Sequence, residues 1–258
     1  MYKCIYKWLI TMALCLGTTT IYAIDIKNLS VAVDIAGKQR MYTQRMLKDY
    51  AMIGLKNKFA NTVEDLNKTI YNFEDHLNSL IAFNQDKDTA INLQKVKQIW
   101  VPIKKVLQKE PNKEKAKEMQ EDLEVLLKQA NTVVECFVKQ IGNKSGEIIN
   151  ISGRQRMLSQ RMASLYMLKV WGIRDSKFQD KMLKTMELFK SSHQKLIQSK
   201  MNTSKIKLLL NNVRRNFMFF EIMNRTNSRF IPVLIYKKSN EILQDMDTIT
   251  GLYATQEQ

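Results

Sequence analysis

Residues 37–46 read GKQRMYTQRM, and residues 153–162 read GRQRMLSQRM. Seven of the ten positions are identical across a separation of 116 residues. A match this long inside one chain is the mark of an internal duplication, and duplication constrains architecture before any other signal is read. On a helix, at about 100° per residue, Ile35, Gln39, Tyr42, Met46 and Ile53 share one stripe, with Ala36, Thr43, Leu47 and Tyr50 beside it. Arg40 lies at the edge of this arc, next to Ala36 and Thr43. In the second copy Ile151, Leu158, Met162 and Leu165 make the stripe, and Arg156 is flanked by Ser152 and Ser159. Each copy therefore sets an arginine among small, hydroxyl-bearing neighbours at a predicted helix–helix seam.

The rest of the chain has the same helical character. After residue 23 there are three prolines and seven glycines, with no hairpin dipeptide and no alternating β-branched run. Apolar residues recur at spacings of three and four, as in Leu123, Leu126, Leu127, Ala130, Val134 and Phe137, which is the pattern of amphipathic helices. The spacing predicts eight helices, near 27–55, 58–84, 88–108, 113–141, 146–172, 175–200, 204–226 and 230–252. Asp88 and Asn112 are candidate N-caps, Pro232 suits a first helical turn, and Pro102 is expected to kink its helix or restart it. Weaker echoes extend the repeat: Val96–Trp100 resembles Val213–Phe217, and Leu123–Leu127 resembles Ile231–Ile235, so that the offset drifts from 117 to 108. Four helices of this length make one bundle. The expected fold is all-α: two tandem four-helix-bundle units, elongated, spanning 24–141 and 142–258. Whether the units lie side by side or end to end is open at this level, as is whether the fourth helix runs on into the fifth through Gly142, Gly146 and Gly153.

The first 23 residues read as a signal peptide. Lys3 and Lys7 precede an apolar run from Trp8 to Leu16, followed by small and polar residues up to Ala23. The run is short for a membrane span, although an uncleaved anchor is the alternative. Cleavage after Ala23 would leave Cys136 as the single cysteine, which excludes an internal disulfide. No Cys/His cluster exists, so no metal and no cofactor is expected. His76 and His193 are 117 residues apart, one step out of register with the motif, and read as surface or packing residues. The 15 methionines, with no His or Cys beside them, read as core filling.

Removing the leader lowers the formal charge from +16 to +14. A basic exported chain suits an anionic partner: a small anion, an acidic protein or a phospholipid surface. Nucleic acid is not expected. A guanidinium buried at a seam needs acceptors. A planar oxyanion can supply them bidentately, with a bond from Thr43 or Ser159. The competing source is a carboxylate on a neighbouring helix, such as Glu64, Asp65, Asp122 or Glu124. Arg45 and Arg161 lie about 140° around the helix from Arg40 and Arg156, so one helix cannot aim both of its arginines at one small ligand. Arg45 shares its face with Lys38, Met41 and Lys48, which predicts exposure. A two-arginine clamp would need Arg40 and Arg156 to face each other across a pseudo-twofold interface. Gly37 and Gly153, three residues before these arginines, cost helix stability and suggest close approach of helices or of a ligand.

The stretches Asp34–Met46 and Asn150–Met162 resemble the first-helix motif of the PilJ-like domain, the type IV pili methyl-accepting chemotaxis transducer N-terminal domain, which is related to the sensor domain of NarX-type nitrate/nitrite sensor kinases. The end, Ile242–Tyr253, is similar to the end of that domain. The resemblance implies a periplasmic, non-enzymatic helical sensor module for a small anion of the nitrate/nitrite type. In the nitrate sensors, the Arg of a G-x-x-R-M element binds nitrate at a two-fold interface. That role falls here on Arg40 and Arg156, and the family's following Arg falls on Arg45 and Arg161. The intervening pairs Lys38-Gln39 and Arg154-Gln155 differ from those of the nitrate sensors. No second span and no kinase or methyl-accepting region is read after Tyr253, so the module is expected to report to a separate membrane receptor or kinase, with a homodimer as a further candidate assembly. The alternative is a helical adaptor binding an acidic protein or a membrane surface. No paired catalytic carboxylates, Ser-His-Asp set or phosphate loop suggests an enzyme.

Overall fold

The computed structural model describes residues 24–56, 61–142, 144–225 and 231–256; the expected leader, 1–23, lies outside them. The described residues form α1 (Leu29–Gly54), α2 (Thr62–Phe83), α3 (Lys87–Leu107), α4 (Ala116–Ile141), α5 (Lys144–Val170), α6 (Phe178–Ile197), α7 (Ser204–Arg225) and α8 (Pro232–Thr255). The fold is all-α. The eight helices agree with the expected ones to within a few residues, because an apolar stripe at helical spacing fixes where each can bury a face. None of the described helices is long and apolar enough to cross a membrane.

Two of the helix ends differ from the expected caps. The α3 cap is Asp86, whose carboxylate accepts from the Thr89 N–H at 2.8 Å, while Asp88 lies in the first turn. Asn112 accepts from the Glu114 N–H before α4 begins and does not cap it. Pro232 does occupy the first turn of α8. Pro102 sits inside α3 without ending it. The fourth helix stops at Gly142, whose φ of 69° is the left-handed C-cap conformation that glycine adopts without strain.

In the first half α1 packs on α2 and α4, and α3 closes the ring between them; α5, α6, α7 and α8 repeat the arrangement. The most extensive packing in the molecule is α1 against α5. Its contacts join Asp34 to Arg156, Arg40 to Asn150, Gln44 to Ser164 and Lys48 to Gln160. Equivalent residues therefore lie opposite one another along two parallel helices, as they would about a twofold axis running along the seam. The two four-helix sets lie side by side, so any elongation does not come from stacking them end to end.

The duplication keeps one register throughout. The buried positions of α4 at 123, 126, 127, 130, 133, 134 and 137 recur in α8 at 239, 242, 243, 246, 249, 250 and 253. That is the same 116-residue offset as the decapeptide, so the drift to 108 is corrected. The apparent likeness of Leu123–Leu127 to Ile231–Ile235 arises because any amphipathic helix resembles another shifted by two turns. The pairing of Trp100 with Phe217 does hold: Phe73 meets Trp100 with ring centroids 4.4 Å apart, and Phe189 meets Phe217 at 4.5 Å.

Central position explains the composition of α1. Twenty of its 26 residues are buried, including Asp34, Gln39, Arg40, Gln44, Lys48 and Asp49. A helix surrounded on all sides has no solvent face on which to place polar residues, so each of these must find a partner within the protein.

Candidate functional site

The α1/α5 seam brings Arg40 and Arg156 together, each no more than 1% exposed. Gly37 and Gly153 make this possible. A Cβ at either position would lie 3.1 Å from Nη2 of Arg156 and 3.5 Å from Nη2 of Arg40. Both guanidinium groups thus occupy the space that side chains at the two glycines would fill. Gln39 and Gln155 brace the motif identically, donating to the carbonyl oxygens of Phe73 and Phe189 at 3.0 and 2.8 Å.

The partners of the two arginines differ. Arg156 Nη1 forms ion pairs with Asp34 at 2.7 Å and Asp247 at 2.6 Å, and its Nη2 donates to the Asp34 carbonyl at 3.1 Å. Arg40 Nη1 donates to Oδ1 of Asn131 and of Asn150, both at 2.8 Å, and its Nη2 to the Asn150 carbonyl at 3.3 Å. Asp34 corresponds to Asn150, and Asp247 to Asn131. The geometry is thus repeated with both carboxylates replaced by amides. Among the described residues no carboxylate lies within 4 Å of Arg40.

The electrostatic consequence is direct. Burial lowers the Arg40 pKa to about 9, assisted by the charges of Arg154 and Arg156 and opposed by Glu135. Burial also acts against the charge of Arg156, but Asp34 and Asp247 outweigh it and hold that group above its ordinary value. Asp247 is pulled below the usual carboxylate range: burial raises it, and Arg156 and Lys38 overcome that. The carboxylate partner considered from the sequence is therefore real for one arginine, although it comes from Asp34 and Asp247 and not from Glu64, Asp65, Asp122 or Glu124.

The other residues singled out from the motif take distinct places. The hydroxyls of Thr43 and Ser159 donate to the carbonyl oxygens of Arg40 and Arg156, both at 2.8 Å, and so are spent within their own helices. Arg45, expected to be exposed, is half-buried, 3.7 Å from the buried Asp49 and 3.5 Å from Asp65, and Arg161 pairs with Glu124 at 2.7 Å. Lys48, expected on the exposed face with Arg45, is fully buried. It donates to Gln160 at 2.7 Å and Asn240 at 2.6 Å and lies 4.0 Å over the Tyr236 ring. Burial lowers its pKa to about 7 against the attraction of Asp49. His76 and His193 are buried packing residues against Tyr42 and Phe189.

Two cavities flank the seam at symmetry-related positions. The one beside Arg40 has a volume of about 610 Å³ and is lined by α4, α5 and α6 residues that include Lys128, Asn131, Arg154 and Arg161. Its counterpart, about 380 Å³, is lined by Gln244, Asp247, Lys38 and Arg45 at the corresponding positions.

A family model described as "Type IV pili methyl-accepting chemotaxis transducer N-term", PilJ, matches residues 25–133 and 138–213. The chain belongs to this family. The match falls in two pieces, consistent with tandem copies of a PilJ domain, and it supports a signalling sensor module of the chemotaxis-transducer type. PilJ domains are sensory, non-catalytic parts of such transducers. No curated protein and no solved structure matches the chain.

Sequence reasoning missed Asp34, Asn131, Asn150 and Asp247. Asp34 and Asn150 stand six residues before the two arginines, inside the repeated stretch, so their difference was visible there. Asn131 and Asp247 would have aligned had the 116-residue offset been carried through the last helix of each half.

Proposed function

We propose that this PilJ protein is a periplasmic sensor module, two PilJ units joined at Gly142, that recognises a small anion at its first arginine and reports to a separate membrane signalling partner. The observation that carries this reading is that the buried Arg40 guanidinium has no ion pair among the described residues, with Glu135 acting on it only from beyond ion-pair distance. A buried cation held only by neutral amides is expensive, and an anion arriving beside it would relieve that cost. Arg156 already has its carboxylates, so the two arginines do not act as equal halves of one clamp. The signal peptide read in residues 1–23 supports the location. An anion that binds better to one packing of α1 on α5 would shift the equilibrium between packings, which is how such a seam could carry a signal.

The test is thermal unfolding of the purified protein with millimolar nitrate, nitrite, sulfate or chloride at fixed ionic strength. A rise in midpoint selective for one anion, lost in Arg40→Gln, is expected from a site on the native state. Equal midpoints in all four salts would refute a selective inorganic-anion site.

The adaptor reading has one observation in its favour. The outer face of α7 exposes Leu208, Met218 and Phe219 beside Lys205, Lys207, Arg214 and Arg215, a basic and apolar surface of the kind that meets acidic partners or lipid. Sedimentation with anionic vesicles would test it; no co-sedimentation at low salt would remove it.

A further inference from the structure

The two cavities beside the seam are copies of one ancestral site, and their lining can be compared position by position. Three positions are unchanged or nearly so: Met157 and Met41, Leu127 and Leu243, Arg161 and Arg45. Five others differ. Where the larger cavity has Asn131, Lys128, Glu124, Arg154 and Leu188, the smaller has Asp247, Gln244, Asn240, Lys38 and Asn72. Arg154 and Lys38 carry the same charge, and each cavity holds one acid. The larger cavity is more basic through Lys128 and the lining Arg40, and more apolar through Leu188. Its one acid, Glu124, is engaged by Arg161 at 2.7 Å. No carboxylate among the described residues lies within 4 Å of Arg40, Lys128 or Arg154.

Size and apolar lining narrow the ligand further. Val125 and Leu188, 55% and 41% exposed, form with Leu127 and Met157 an apolar wall around the charged groups. Nothing in an inorganic oxyanion would cover that wall. A cavity of about 610 Å³ falls within the roughly 300–1,000 Å³ typical of sites for organic ligands, which are mostly apolar with a few placed polar groups. Burying exposed Leu and Val side chains against an apolar ligand body is favourable in proportion to the area covered.

Resting on the anion-sensor reading, and refining its ligand class, we infer that the cavity beside Arg40 binds one amphipathic organic anion per chain, a carboxylate or sulfonate with an apolar body. The anionic head lies toward Arg40, Asn131 and Arg154, and the body lies along Val125, Met157 and Leu188. The smaller cavity is a copy in which Asp247 has taken the place of the ligand's charge.

Calorimetric titration of the full protein with acetate, butyrate, hexanoate and benzoate, and with nitrate as the inorganic control, tests this. The expected result is one site per chain, with hexanoate and benzoate binding at least tenfold tighter than acetate or nitrate. Asn131→Asp, which copies the folded arrangement at Asp247, should abolish binding of every anion. Leu188→Asn, which copies Asn72, should erase the preference for the longer chains while keeping acetate binding. If nitrate binds as tightly as hexanoate and is lost in Asn131→Asp, the organic class is wrong and the small-anion sensor stands. If no anion binds, both readings fall. Unaltered hexanoate affinity in both variants would overturn the location.

Discussion

The two halves of this protein present one geometry with two electrostatic solutions. Around Arg156, Asp34 and Asp247 complete an ion-paired cluster, with Lys38 3.5 Å from both carboxylates. Around Arg40 the same positions carry Asn150 and Asn131, which preserve the hydrogen-bond pattern and remove the charge. An amide and a carboxylate have nearly the same shape, so the seam packs equally well either way. Duplication has left one half with an ion-paired arginine and the other with an arginine held by amides. A symmetric pair of separate chains could not divide the roles in this way, because a change in one copy would appear in both.

The largest effect should come from removing a charge partner. Asp34→Ala leaves the buried Arg156 charge less compensated and is expected to cost about 3–5 kcal/mol, as for other broken buried ion pairs. The matching Asn150→Ala loses a neutral acceptor and should cost only about 1–3 kcal/mol. Urea denaturation of both variants measures the contrast directly; equal losses would mean that the two half-sites are electrostatically alike after all.

Next comes close packing, where the halves should agree. Gly37→Ala and Gly153→Ala each push a methyl group to 3.1 Å from the same Nη2 of Arg156, whose guanidinium is held by two carboxylates through Nη1. Each should lower stability by about 1–3 kcal/mol, typical of overpacking. A large difference between them would break the twofold description of the seam.

A smaller effect is expected from pH. Burial, with Lys38 for His76 and Arg214 for His193, lowers both histidines to about 4. Between pH 6.5 and 4 the unfolded chain therefore binds more protons than the folded one, so stability rises with pH across this window and is lost on acidification. Replacing each histidine by Phe should reduce the loss of unfolding free energy from urea denaturation between pH 6.5 and 4.5 by about 1–2 kcal/mol per residue. A slope unchanged in the double variant would assign acid sensitivity to other groups.

The smallest effect sharpens the comparison from the opposite side. Asp34→Asn with Asp247→Asn would give Arg156 the amide surroundings of Arg40. If the carboxylates alone silence the second half, a weak second anion equivalent should emerge in calorimetry. No second equivalent would mean that Lys38 and Gln244, in place of Arg154 and Lys128, matter as much as the carboxylates.

Much of this was legible in particular residues. The decapeptide placed Arg40 and Arg156 at the edge of a buried arc, and Gly37 and Gly153 predicted a close approach at the same place. Lys48 was misread because it shares a helical face with Arg45. On a surface helix that face would be wet, but α5 and α8 cover it here, and Gln160, Asn240 and Tyr236 receive the ammonium. Thr43 and Ser159 were candidates for holding a ligand because a hydroxyl beside an arginine is a ready donor. Their protons go instead to carbonyls three residues back, a local competition that spacing does not reveal.

The sequence by itself determined the all-helical class, the positions of eight helices, the duplication and the place of Arg40 and Arg156 at the edge of a buried arc. All of these follow from periodicity and repetition, which are local properties of a chain. Only the tertiary structure decided that α1 and α5 lie parallel and in register, that the units sit side by side, and that Arg156 is ion-paired while Arg40 is not. Those outcomes depend on Asp34, Asn131, Asn150 and Asp247 arriving from up to 122 positions away. Charge acts through distance in space, so only the folded seam decides which cation finds its carboxylate.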